Sequence, residues 1–381
     1  KPDRRQRQMC IRDRPYSDHE VNGVLNRIIA NDNFIDAFQS QQNQLTKFIP
    51  FSKFFLKKYM LRLIKDINSV DAYQLLYEKL IKDMISSKID NFNLSGLDNI
   101  DPEQNYLFIS NHRDITLDPA LLNYAIFQHG HKTFNIAIGD NLIKDSWVSD
   151  LMRLNKSFII KRSGNSKKEI YKSLKLASEF IGNKILNSYE SVWIAQRQGR
   201  AKDGIDATDT SILKMIYLSA KKDMSIGEYF NKLKIVPISL SYEIDPNDVS
   251  KANELSIISS NGHYIKSKNE DFLSIYNGIF GNKGNVSLKI CKPVNLDKDI
   301  NFDSIAEIID KEIISGYKLH SSNYAAASLL RIAFDKNEIA EEELNKAVNE
   351  MSNKVSVLSD GVRKNLLLQY ANPIIQKQNL V

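Results

Sequence analysis

The residues best equipped for chemistry lie in "SNHRDITLD", positions 110–118, which holds Asn111, His112, Arg113, Asp114 and Asp118 directly after the apolar run "YLFI". A neutral imidazole can remove a hydroxyl proton. A carboxylate on its other nitrogen fixes the tautomer and stabilises the imidazolium that forms. By this chemistry either Asp114 or Asp118 could serve His112. Each residue also has a plainer use. Asp118–Pro119 ahead of "ALLNYAIF" reads as a helix start, with Asp118 as N-cap and Pro119 at the first helical position. His112 could equally be a loop histidine on backbone hydrogen bonds, and Asp114 a loop-bonding carboxylate.

Two basic loops follow. In "WIAQRQGRAKDG", 193–204, an apolar run ends in Arg197, Gly199, Arg200 and Lys202. Cations and exposed backbone around a glycine suit a phosphate, which Arg binds bidentately and Lys as a point charge. In "FIIKRSG", Lys161, Arg162 and Gly164 again follow an apolar run. Solvated cations in polar turns are the plainer reading of both. The tripeptide "HRD" also opens the protein-kinase catalytic loop, but the position needing Asn is Pro119, and neither a GxGxxG loop nor a DFG triplet is present.

These loops need a scaffold. Short apolar runs at 105–110, 134–139, 157–162, 191–195, 235–243 and 285–294 read as strands, and 119–128 and 166–188 as helices between them. Such alternation predicts an α/β fold with a mainly parallel mixed sheet covered by helices. His112 then sits where the chain leaves a strand's carboxyl end, the usual place for ligand sites in open α/β sheets. Pro237 falls near the start of the strand "IVPISLSYE", a position proline tolerates, as it does a sheet edge. Residues 15–98 read as an N-terminal helical region, 99–300 as the α/β domain and 301–381 as a C-terminal helical extension. Within the first, "FSKFFLKKYMLRLIKDI" places Leu56, Met60, Leu63 and Ile67 on one face and Lys57, Lys58, Arg62 and Lys65 on another. That pattern suits a core-facing helix, or one lying on an anionic membrane surface.

Bulk properties narrow the class. With 42% hydrophobic and 26% charged residues the composition is that of a soluble globular protein. No stretch approaches the roughly 18–20 apolar residues of a transmembrane helix, and no apolar h-region follows the N-terminal basic residues. Cys10 and Cys291 are too few for a disulfide framework, so a reducing cytoplasm is expected. Of the net charge of +6, residues 1–14 carry +4, along with five of the chain's fourteen arginines. That segment reads as a non-native or disordered tail, and the nearly balanced remainder argues against a nucleic-acid partner.

In this order the His-Asp loop, the basic residues after two later strands and the Val-Pro strand resemble the glycerophospholipid acyltransferase superfamily, which includes lysophosphatidic acid and glycerol-3-phosphate acyltransferases. The resemblance covers roughly residues 105–240. The family's first block is Asn-His, four residues, then Asp. The resemblance implies that His112 is the general base. It implies that Arg162, with Lys161, faces phosphate, and that Arg197, Gly199, Arg200 and Lys202 form a phosphate block, with Pro237 in the fourth block. Asp118 stands six positions after His112 where the family has five, that fifth position being Leu117. Leu117–Asp118 followed by "ALL" nonetheless matches the family better than Asp114 does. Gln198 stands where the family carries glutamate.

Functionally, the resemblance implies transfer of a fatty acyl group from acyl-CoA or acyl carrier protein to the hydroxyl of 1-acylglycerol-3-phosphate in phospholipid synthesis. Glycerol 3-phosphate or another lyso-lipid is the alternative acceptor. No metal or tightly bound cofactor is expected, and the location implied is cytoplasmic, peripheral to the membrane's inner face. A non-catalytic lipid- or phosphate-binding member of the fold is the alternative that Gln198 suggests.

Overall fold

The structure is a computed structural model describing residues 13–39, 52–140, 146–162, 164, 166–267 and 270–380. Four helices come first: α1 (Asp18–Ala30), α2 (Asp32–Gln39), α3 (Ser52–Leu63) and α4 (Val70–Lys88). Strands and helices then alternate through β1 (Asn91–Ser95), β2 (Leu107–Ser110), α5 (Leu117–Phe127), β3 (Asn135–Gly139), α6 (Ser146–Leu154), β4 (Ser157–Ile160), α7 (Lys167–Leu186) and β5 (Val192–Ala195). Next come α8 (Thr210–Tyr217), α9 (Ile226–Leu233), β6 (Ile235–Tyr242), α10 (Asp248–Asn261), α11 (Glu270–Phe280) and β7 (Asn285–Ile290). The chain ends in α12 (Phe302–Gly316), α13 (Ser321–Leu329), α14 (Glu341–Ser356) and α15 (Asp360–Gln378).

All six expected strands are present, each shorter at one or both ends than the apolar run that predicts it. The seventh, β1, lies inside the stretch read as helical. Its sequence "NFNLS" is partly exposed throughout and holds no continuous apolar run, so periodicity alone does not mark it.

The chain divides into two compact units, one of residues 81–134 with 178–381 and one of 1–80 with 135–177. These do not follow the divisions expected at 98 and 300. In the first unit five strands lie in the order β1-β7-β6-β2-β5. Only the β6–β7 pair is antiparallel. The sheet is therefore mixed and mainly parallel, as the alternation predicts. β2 and β6 are buried along their whole length, which is why they read as near-continuous apolar runs. Pro237 pairs with Ile109, just before the ladder with β7 begins at Ile238. The Phe108 ring packs on Phe134 with centroids 5.6 Å apart. The C-terminal helices belong to this unit: Tyr324, Met351, Leu366, Tyr370 and Ile374 share a core with Ala252 of α10.

In the other unit β3 and β4 pair in parallel. Val21, Leu25, Ile28, Ile64, Ile67 and Leu154 form its core. Asp13 and Arg14, grouped by charge with the basic N-terminal segment, are tied into this unit. The Asp13 carbonyl accepts from Ile159 N–H at 2.9 Å, its carboxylate pairs with Lys161 at 2.7 Å, and Arg14 bonds Glu20 at 2.8 Å. Residues 1–12 lie outside the described residues.

The faces expected around 53–67 also change. α3 stops at Leu63, and Ile64 and Ile67 enter the core from the turn beyond it. On α3 itself Phe54, Phe55 and Tyr59 are 64%, 62% and 61% exposed. Among the described residues no helix is long and apolar enough to cross a membrane.

In the first unit, buried His320 precedes α13, and its Nε2 lies 3.1 Å from Ser241 Oγ of β6. Burial pushes its imidazole down to about 4, against the pull of Glu243. The folded protein thus holds His320 neutral, while the unfolded chain titrates near 6.5. A depressed folded value gives stability that is complete above 6.5 and lost as pH falls through about 4. Urea unfolding at pH 7 and pH 4 should show His320 contributing a loss on the order of 3 kcal/mol, which the His320→Gln variant lacks.

Candidate active site

His112 leaves the carboxyl end of β2, and its Nδ1 lies 2.8 Å from Asp118 Oδ2. The same oxygen accepts from the backbone N–H of Arg113 at 2.7 Å and of Asp114 at 3.0 Å. The other oxygen, Oδ1, accepts from the Tyr242 hydroxyl at 2.9 Å. A carboxyl that receives so many donors is an acceptor, so His112 Nδ1 carries the proton and Nε2 keeps its lone pair. No hydrogen bond to Nε2 is found among the described residues. The Asp118 side chain is fully buried, whereas that of His112 keeps 11% exposure. The imidazole meets the Trp193 ring edge-on at 6.1 Å, and Trp193 Nε1 in turn donates to Ser110 Oγ at 3.1 Å.

The helix-start reading changes here. α5 begins at Leu117 with Thr116 as N-cap, so Asp118 is inside the first turn and Pro119 is the third helical residue. Asp114 does the capping instead: its Oδ1 accepts from the N–H groups of Thr116 and Leu117, each at 2.9 Å. This division of labour resolves the long spacing. The tight turn 113–116 folds back, and a carboxylate six positions on still reaches the imidazole. Burial pushes the Asp114 carboxyl up, and the neighbouring Asp118 charge adds to the rise. Against it lies Gly278 of α11, where an added Cβ would stand 2.3 Å from Asp114 Oδ2.

Asn111 and Arg113, with several residues that the sequence did not single out, hold the loop in place. Asn111 donates to the Leu240 carbonyl at 2.9 Å and accepts from Leu240 N–H at 2.8 Å, stitching the end of β2 to β6. Arg113 is buried, pairs with Asp206 at 2.6 Å, bonds the Gly204 carbonyl at 3.1 Å and lies over the Tyr317 ring. Burial raises the Asp206 carboxyl against the opposing pull of Arg113 and Asn111. Lys251 is likewise buried, donating to the Arg113 carbonyl at 2.7 Å and pairing with Asp245. From the C-terminal helix α15, Gln376 bonds both the N–H and the carbonyl of Asp206 at 2.8 Å, and Asn372 holds the Asp203 carbonyl at 2.7 Å. Tyr242 ends the run "IVPISLSY", and a hydroxyl buried there requires a partner, but the sequence does not say which.

The expected cations divide. Arg200 is buried, with Nη2 3.4 Å from Ser274 Oγ of α11. Its Nη1 has no hydrogen-bond partner among the described residues. Ala201 N–H, one residue on, bonds the His112 carbonyl at 2.7 Å, which ties the basic loop to the histidine's own backbone. Lys202, by contrast, is engaged by Glu254, and Arg197 reaches the Ile205 carbonyl at 3.5 Å. Gly199 adopts a φ of 76°, the left-handed conformation that turns this loop, and Gln198 beside it is exposed. Lys161 and Arg162 follow β4 in the other unit, where Lys161 pairs with Asp13. No group of three or more His, Cys, Asp or Glu side chains is placed to hold a metal among the described residues.

A His–Asp pair at a strand's carboxyl end, its carboxylate buried, thus stands beside a basic glycine loop on the neighbouring strand of an α/β domain. Residues 91–240 match the family model described as Acyltransferase. The matched stretch runs from β1 into β6 and contains the His112–Asp118 loop, so this domain is of the acyltransferase type. Among solved structures it is similar to the 1-acyl-sn-glycerophosphate (LPA) acyltransferase PlsC from Thermotoga maritima, at 13% identity and a TM-score of 0.41, covering 83% of this chain and 98% of that one. A comparison with curated proteins finds no match.

Replacing Arg113 by Ala should leave Asp206 as an unpaired buried charge and cost about 3–5 kcal/mol in denaturant unfolding. Gly204→Ala should destabilise independently, because its φ is 77° and an added Cβ would lie 2.0 Å from the Gln369 carbonyl oxygen. A stable Arg113→Ala protein would contradict the anchoring role of this pair.

Proposed function

We propose that this acyltransferase moves a fatty acyl group from the thioester of acyl-CoA or acyl carrier protein to the free hydroxyl of 1-acylglycerol-3-phosphate, as in phospholipid synthesis. The observation that carries the reading is the His112–Asp118 pair, with Nε2 left as the acceptor at a partly open edge of the site. Nε2 removes the hydroxyl proton as the oxygen attacks the thioester carbonyl, and Asp118 stabilises the imidazolium. The proton then passes to the departing thiolate as the tetrahedral adduct collapses. Neither a metal nor a bound cofactor enters these steps. Arg200, with an unpartnered guanidinium nitrogen, holds the acceptor's phosphate, and that remote charge aligns the hydroxyl. Glycerol 3-phosphate presents the same phosphate and hydroxyl and is the alternative acceptor. Gln198 is exposed, so a neutral side chain there leaves the buried pair intact.

A lipid acceptor has to be met at a membrane surface. The candidate contact is α3, whose exposed Phe54, Phe55 and Tyr59 stand among Lys58 and Arg62. Aromatics at the headgroup boundary beside cations suit an anionic bilayer, and a peripheral location at its inner face follows from this reading.

His112→Ala and Asp118→Asn should each lower acyl transfer by roughly 100- to 10,000-fold with either donor. Asp114→Asn should keep most activity, since an amide oxygen can still cap α5. Wild-type turnover in His112→Ala would end the reading. Separately, changing Lys58, Arg62 and Lys65 to Gln together with Phe54 and Phe55 to Ser should weaken cosedimentation with phosphatidylglycerol vesicles by roughly 100-fold. Undiminished sedimentation would refute α3 as the contact.

A further inference from the structure

The mechanism above gives no role to the buried phenol that touches Asp118. Tyr242 is the last residue of β6, is buried, and donates its hydroxyl to Asp118 Oδ1 at 2.9 Å. The opposite oxygen of the same carboxylate is 2.8 Å from His112 Nδ1. Tyrosine, carboxylate and imidazole therefore stand in one line from the sheet to the reacting edge. A side-chain carboxylate can rotate about its last bond, and two backbone N–H groups on Oδ2 do not by themselves decide how the other oxygen is aimed. The Tyr242 hydroxyl supplies that constraint from a strand held on both sides by β2 and β7.

We propose that Tyr242 is a positioning residue for acyl transfer, acting through Asp118 to hold His112 in the tautomer that presents an unprotonated Nε2 to the acceptor hydroxyl. This rests on His112 being the base. Tyr242 touches no reacting atom. It sets the orientation of the carboxylate and, by withdrawing part of its charge, how strongly that carboxylate favours the imidazolium. The site balances these effects: a bare Asp118 would hold the proton on His112 more firmly and keep the base occupied to higher pH.

Other charges face the cluster from each packed element. Arg113 and Asp114 lie on the same loop, and Arg200 and Asp206 on the loop after β5. Asp245 and Lys251 come from the β6–α10 side, and Lys283 from the turn before β7. None of these is altered by removing a phenolic oxygen, so a shift that follows Tyr242→Phe belongs to that hydroxyl. Burial beside Asp118 and Asp114 keeps the phenol protonated far into the alkaline range, so it remains a donor wherever the enzyme can work.

The test compares wild type, Tyr242→Phe and His112→Ala in steady-state acyl transfer across pH, with thermal unfolding as the check on folding. Tyr242→Phe should lower kcat roughly tenfold or more while leaving the acceptor KM unchanged. The acid limb of its pH profile should move to higher pH, because the unrestrained carboxylate stabilises protonated His112. Unchanged kcat and an unmoved acid limb in folded Tyr242→Phe, beside an inactive His112→Ala, would overturn the positioning role alone. Full activity in His112→Ala would instead overturn the acyl-transfer reading beneath it. If Tyr242→Phe does not fold, 3-fluorotyrosine at position 242 keeps the ring and the bond but donates more strongly. Its acid limb should then move to lower pH, and no movement would overturn the proposal.

Discussion

A carboxylate cannot be buried without donors, and the environment of Asp118 is organised around that requirement. Removing an ionised carboxyl from water costs several kcal/mol unless hydrogen bonds replace its hydration. Asp118 receives them from the His112 ring, from the N–H groups of Arg113 and Asp114, and from the Tyr242 hydroxyl. Two of those donors are backbone, so the path of the 112–116 turn and the charge on Asp118 stabilise each other. The turn in turn depends on Asp114, which caps α5 and leaves Asp118 free to look back at the histidine.

Outside this first layer the same logic recurs at larger scale. Arg113 with Asp206 and Lys251 with Asp245 are two buried ion pairs under a single loop. Buried pairs of this kind are weak contributors to net stability, yet breaking one is expensive. They make the geometry of the loop an all-or-none matter: a conformation that separates either pair strands a charge in a dry interior. The C-terminal helix α15 completes this arrangement by gripping 203–206 through Gln376 and Asn372. What looks in the sequence like an appended extension is thus part of the support of the basic loop. That explains why the compact unit runs through residue 381 rather than stopping near 300.

The proposed chemistry draws on the contrast between two neighbouring carboxyls. Asp118, saturated by donors, serves as acceptor and orienter. Asp114, pressed against α11 at Gly278, is pushed up by burial and by its neighbour. One loop therefore holds a carboxylate suited to stabilising an imidazolium and another suited to starting a helix.

Much of this was legible in the sequence, for identifiable reasons. Strands buried on both faces must be continuous apolar runs, so "YLFIS", "SFII", "SVWIA" and "IVPISLSY" announced themselves, and a histidine after the first of them lay where α/β sheets place their ligands. β1 was hidden because a partly exposed edge strand needs no such run. The choice between Asp114 and Asp118 could not be read from spacing, since both stand within reach of a flexible loop; the first turn of α5 decided it. Tyr242, Asp206, Lys251 and Gln376 were out of view because their partners are 124, 93, 138 and 170 positions away. Residue type and local periodicity determined which groups could do proton-transfer chemistry. Only the tertiary structure decided which carboxylate faces the imidazole and what holds it there, because a hydrogen bond depends on distance in space and not along the chain.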